Sequence, residues 1–154
     1  KNKLHSGKNR GRSFRSRNKR LKTLKDKIQY RIRKSKNNTF LADDFMDLSD
    51  MDQVLRALRE LIKSNEIIKV GKGVYTKARQ SAITKEYVPI DNLRDIALYV
   101  LSKLGIKTVP TKEEAAYNNR LTEQVPNSYI IGVNKRFSRT ISFNNARIQY
   151  EVIN

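Results

Sequence analysis

Between Asn38 and Arg79, a short amphipathic segment, a tight turn, a longer amphipathic segment and two β-prone runs around glycines follow without spare residues. Few folds accept that order. It predicts helix, turn, helix and hairpin, a winged helix-turn-helix that holds double-stranded DNA.

Thr39 is expected to cap a short helix near Leu41–Asp47 that buries Phe40, Leu41, Phe45 and Leu48. Asp43, Asp44 and Asp47 carry charge there. No His and no further acidic cluster stands at ligand spacing, so no metal site is expected, and no cofactor either. Ser49 and Asp50 form the turn and cap of a longer helix, about Met51 to Ser64. Val54, Leu58, Leu61 and Ile62 make its buried stripe, widened by Leu55. Its other face presents Gln53, Arg56, Arg59, Glu60 and Lys63. Gln and Arg near a recognition-helix N-terminus can read adenine and guanine edges in the major groove. The bland alternative is a solvated face with Asp52–Arg56 as an i,i+4 pair.

Ile67 to Lys77 reads as a hairpin whose tip is Gly71-Lys72-Gly73, since glycine supplies the positive φ of a tight turn. Lys72 at the tip, with Lys69 and Lys77 nearby, is expected over a phosphate backbone. A nucleotide-binding loop is excluded, because no helix follows the glycines.

Charge sharpens the reading. The chain of 154 residues has 33 Lys plus Arg against 15 Asp plus Glu, a net +18. Residues 1–36 hold 16 of the basic residues and one acid, so +15 lies at the N-terminus and only +3 elsewhere. Residues 1–23 read as a flexible basic arm in which Arg10, Arg12, Arg15, Arg17, Lys19 and Arg20 suit a polyanion, nucleic acid or an acidic membrane surface. A solubilising tail is the alternative. Thr23 then caps a first helix over Leu24–Lys34, with Leu24, Ile28 and Ile32 every fourth residue.

After a loop from Gln80 to Pro89, Asn92 caps a helix through Leu104 that turns Leu93, Ile96, Ala97, Val100, Leu101 and Leu104 inward, with Gly105 just beyond it. A strand at 106–109, a short helix from Thr111 to Tyr117, and strands at 128–133, 140–143 and 146–153 complete the chain. The last two form a hairpin around Asn144-Asn145. The expected fold class is α+β: a basic arm (1–23), a winged helix-turn-helix (24–79) and a small α+β unit with an antiparallel sheet (80–154).

Other classes fare worse. The longest apolar run, Ile96–Leu101, is far below the ~18 residues a membrane span needs, so no membrane partner is expected. There are no cysteines, and the single His, His5, stands in the arm. No carboxylates converge on a partner, so no enzyme is expected. No apolar stretch follows the basic start, and no signal peptide is expected. The chain starts at Lys1 rather than Met, which leaves the true N-terminus open.

Asp52–Leu61, Ile68–Tyr75 and Ala78-Arg79 resemble the N-terminal winged helix of AbiEi-type antitoxins of type IV toxin–antitoxin systems. More closely, they resemble small bacterial proteins related to that domain. The likeness continues into Gln124–Pro126 and Ile131–Val133, covering about residues 24–151. The resemblance implies a cytoplasmic bacterial regulator that binds DNA at its own operon's promoter and neutralises a nucleotidyltransferase-like toxin. It carries Gln53, Arg56 and the Lys72 wing over as DNA contacts. The basic arm departs from the compact family pattern. Two other readings stay open: a protein-interaction module that neutralises a toxin, and an RNA- or ribonucleoprotein-binding component. The target DNA and the oligomeric state are not legible.

Overall fold

A computed structural model describes residues 23–154. The first helix, α1, spans Leu24–Lys34, and Thr23 Oγ1 accepts the Asp26 N–H at 3.1 Å as its cap. Leu24, Ile28 and Ile32 turn inward, the last two fully buried. Strand β1 (Thr39–Leu41) follows, then a 3-10 turn, Ala42–Phe45. Thr39 therefore does not cap a helix, contrary to the sequence reading. Its register opposite Thr76 draws it into the sheet, and the two hydroxyls lie 3.4 Å apart in a buried site. The expected second helix shrinks to that single turn.

Helix α2 spans Met51–Lys63. Asp50 is its cap, with Oδ1 accepting the Gln53 N–H at 2.9 Å. Val54, Ala57, Leu58 and Leu61 are buried, while Leu55 and Ile62 are half-buried. Strands β2 (Ile67–Gly71) and β3 (Val74–Gln80) form the hairpin, and Gly73 takes the positive φ of 71° at its turn. The strand order is β1-β3-β2, all antiparallel. A fourth strand, β4 (Tyr87–Pro89), pairs with the end of β3, where the sequence suggested only loop.

Helix α3 (Leu93–Lys103) is capped by Asn92, and Gly105 adopts φ 75° two residues past its end. Leu104 is 37% exposed rather than turned fully inward, at the C-cap just past the helix end. Strand β5 (Thr108–Val109), helix α4 (Lys112–Asn118), β6 (Ile130–Val133), β7 (Ser142–Phe143), β8 (Ala146–Arg147) and β9 (Gln149–Val152) complete the chain. The fold is α+β, with four α-helices among the described residues. β5–β6 and the β7–β8 hairpin are antiparallel, as expected. β9 departs from that expectation: it runs parallel to β6 and leaves the hairpin register. The chain turns at Ile148, which is buried and donates its N–H to the Ile141 carbonyl, so β9 leaves β7 and joins a different sheet.

The sheet of β1–β4 has two covered faces. Phe40, Ile67 and Tyr75 meet α1 and α2, while Leu41, Val70 and Val74 meet α3 together with Ile131, Val133 and Ile141. Period-two alternation along β2 and β3 places successive side chains in different clusters. The two halves of the chain thus share a hydrophobic layer. Asp44, just after β1, reinforces it by an ion pair with Lys103 at the end of α3. No helix of the described residues is long and apolar enough to cross a membrane.

Candidate nucleic-acid interface

Helix α2 turns its buried stripe to the sheet and α1, and a helix repeat of 3.6 residues fixes what remains outside. Arg56, Arg59 and Lys63 share the outward face with Asp52. Gln53 and Glu60 lie on its flank toward α1, where a groove of about 430 Å³ is lined by Thr23, Leu24, Lys25, Asp26, Gln53, Arg56, Ala57 and Glu60. The groove therefore opens beside Thr23, the residue to which the basic N-terminal segment is joined.

Lys69 stands opposite Tyr75 in the hairpin and shares its face, on the α2 side. Burial pushes the Tyr75 hydroxyl pKa up, and the nearby Arg59 guanidinium opposes that shift. Lys69 thus stands across the hairpin from Tyr75, and Lys72 lies exposed at the hairpin tip. Among the described residues, Arg56, Arg59, Lys63, Lys69 and Lys72 form no ion pair. The opposite end of α2 is acidic, with Asp47, Asp50 and Asp52 around the turn that enters it. The exposed basic residues therefore lie from Arg56 onward along α2 and across to the hairpin.

Lys77 is not part of that surface. Its ammonium donates to the Ser35 carbonyl at 2.9 Å, tying β3 to the end of α1. Alternation from Tyr75 puts Lys77 on the same face as Lys69, and the bond to the Ser35 carbonyl is what takes its ammonium off the surface. Arg10, Arg12, Arg15, Arg17, Lys19 and Arg20 lie outside the described residues.

The acids near the interface have local work. Asp47 accepts both Arg31 Nη1 at 2.7 Å and Nη2 at 2.8 Å, and these bonds hold its carboxyl below the usual range. Arg31 also donates to the Asp44 carbonyl at 2.9 Å. Asp44 Oδ2 accepts the Leu41 N–H, closing the 3-10 turn. Among the described residues no three His, Cys, Asp or Glu side chains cluster closely enough to hold a metal ion.

A second concavity, which spacing arguments missed, lies in the other half of the chain. It has a volume of about 540 Å³ and an apolar floor that includes Leu98, Val109, Pro110 and Ile131. Arg94 fixes one wall by donating to the Ser128 and Ile130 carbonyls at 2.7 and 3.2 Å and to Glu114 at 3.1 Å. Its parts come from α3, β5, α4 and the segment before β6, which no local pattern connects.

Residues 24–152 match a family of unknown function, DUF6088. The chain belongs to that family. The match runs from the first residue of α1 to the last of β9. No curated protein matches the chain.

Proposed function

We propose that this DUF6088 protein is a DNA-binding regulator of the AbiEi-antitoxin kind, with a winged helix-turn-helix over residues 24–79. The order of α1, β1, 3-10 turn, α2 and hairpin, with strands paired β1-β3-β2, supports the winged-helix reading. In it α2 is the recognition helix and the β2–β3 hairpin is the wing. One observation carries the proposal: Arg56, Arg59, Lys63, Lys69 and Lys72 form an exposed cationic surface with no ion pair among the described residues. Folded proteins pair or scatter like charges, so such a concentration suits phosphates.

In this reading Gln53 and Arg56 reach base edges in the major groove. Arg59, Lys63, Lys69 and Lys72 neutralise backbone phosphates. The arm adds sequence-independent grip, and its attachment beside the Gln53–Arg56 groove supports a path into the neighbouring minor groove. Binding at the protein's own promoter follows from the resemblance alone.

The test is selection from random duplex DNA at two salt concentrations against a structured-RNA competitor. An enriched duplex motif that weakens or relaxes in Arg56→Ala supports the proposal. Salt-sensitive binding without a motif, or preference for the RNA, removes it.

A second reading is favoured by the other half. Leu121 and Val125 are 79% and 73% exposed on the segment rimming the Arg94 cleft, an unusual position for large apolar side chains. That supports a protein partner, the toxin in the antitoxin reading. A pull-down from the native host with the intact chain and with Leu121→Ser/Val125→Ser separates a cleft-borne partner from one held elsewhere.

A further inference from the structure

Helix α1 sorts its cations by face. Arg33 grips Glu66 through Nε at 2.6 Å and Nη2 at 3.2 Å, and Lys25 lies near enough to Glu66 to help lower its carboxyl pKa. Arg31 is held by both oxygens of Asp47. These contacts anchor α1 to the rest of the fold. Lys27 and Lys34 have no ion pair among the described residues.

Between them on the outward side stands Tyr30, 48% exposed, with the Lys34 ammonium 5.4 Å from its ring centroid. A groove of about 490 Å³ runs beside the row, lined by Lys27, Tyr30, Arg31, Lys34, Ser35 and Leu48. The Tyr30 ring thus stands in water between two lysines that no acid pairs among the described residues. It suits a polyanion whose sugars offer apolar contact and whose phosphates meet the ammoniums.

We propose that this outward row of α1 is a second backbone-binding site for duplex DNA, separate from the α2–hairpin surface. This rests on the DNA-binding reading. Lys27 and Lys34 take phosphates of one strand, and Tyr30 packs on the intervening sugar. Seven residues of helix separate the lysines by roughly 10 Å along the axis.

Continuity of charge favours nucleic acid over other anions. The row begins four residues after Thr23, so it extends the ten Lys and Arg of residues 1–22 along the same chain. Arm and α1 form one cationic track in sequence. The row itself carries no base-reading amide, so it adds affinity and footprint length without changing sequence preference.

The experiment compares full-length wild type, Lys27→Ala/Lys34→Ala, Tyr30→Ala and Arg56→Ala on one selected duplex. Affinity is measured across salt, and hydroxyl-radical footprints are taken. Neutralising Z phosphates contributes a slope of about −0.9Z in log K against log salt. The double variant is therefore expected to flatten the slope by about 2 and lose one protected backbone patch, with its selected motif unchanged. Tyr30→Ala loses affinity several-fold without changing the slope, and Tyr30→Phe restores it. Circular dichroism checks that all variants remain folded, as expected for exposed positions. If wild type binds duplex and the double variant keeps both slope and footprint, the second site is wrong and the α2 reading stands. If wild type binds no duplex, both fall.

Discussion

Gly71 of the β2–β3 hairpin and Thr140 of the second half meet backbone to backbone. A Cβ on Gly71 would collide with the Thr140 carbonyl oxygen. The neighbouring Ile141 is buried with Val70 and Val74, so the hairpin lies against the rest of the chain through a contact that only glycine permits. Hairpin orientation therefore depends on the second half.

Gly71→Ala is expected to destabilise the protein by about 1–3 kcal/mol, because a carbonyl cannot rotate away as a flexible side chain would. Gly73→Ala meets no neighbouring atom but retains a left-handed φ, at a cost of about 1 kcal/mol. Urea denaturation ranks the two. Equal small losses would mean that Thr140 moves aside freely.

Lys72 and Lys77 are both hairpin lysines, and only one faces solvent freely. Lys72→Ala should flatten the salt dependence of duplex binding by about 0.9 and leave stability within ~0.5 kcal/mol. Lys77→Ala should do the reverse: the slope stays, and about 1–2 kcal/mol is lost with the bond to the Ser35 carbonyl. A flattened slope in Lys77→Ala would place its ammonium on DNA instead.

The hydrogen bonds from Arg33 lower the Glu66 pKa in the folded chain. As pH falls, the unfolded chain therefore takes up that proton first. The pair's contribution is complete above the ordinary glutamate value of about 4.3 and disappears as pH drops through the lower folded value. Because the Arg33 side chain is 63% exposed, the contribution is under ~1 kcal/mol. Urea midpoints of wild type and Glu66→Gln should differ at pH 7 and draw together as pH falls below the ordinary glutamate range. A gap that stays constant as pH is lowered would rule this linkage out.

Among the described residues the buried Tyr150 hydroxyl has no hydrogen-bond partner, and burial pushes its pKa up to about 12. Its ring packs edge-on against Phe137 with centroids 4.8 Å apart, a contact that needs no hydroxyl. Tyr150→Phe should therefore leave stability unchanged or raise it by up to ~1 kcal/mol. A thermal midpoint lowered by several degrees would reveal a partner for the oxygen.

Local physics made much of this legible in the sequence. The fourfold spacing of Leu24, Ile28 and Ile32 and the oxygen of Thr23 define α1 without any distant residue. Asn92 does the same for α3, and the two glycines mark the hairpin turn. The cationic face of α2 follows from its buried stripe, because one face of a helix implies the other.

Tertiary structure decided what long-range pairing controls. Thr39 passed for a helix cap until Thr76 drew it into a strand, and β4 exists only because β3 offers an edge. β9 runs parallel to β6, a register set by neighbours distant in sequence. Among the cations of α1 and the hairpin, sequence supplied the charge and the fold supplied the partner. Arg31, Arg33 and Lys77 were consumed by Asp47, Glu66 and the Ser35 carbonyl, while Lys27, Lys34, Arg56 and Lys72 kept their charge outward. Charge is a property of a residue, but its availability depends on which oxygens the folded chain brings within hydrogen-bonding reach.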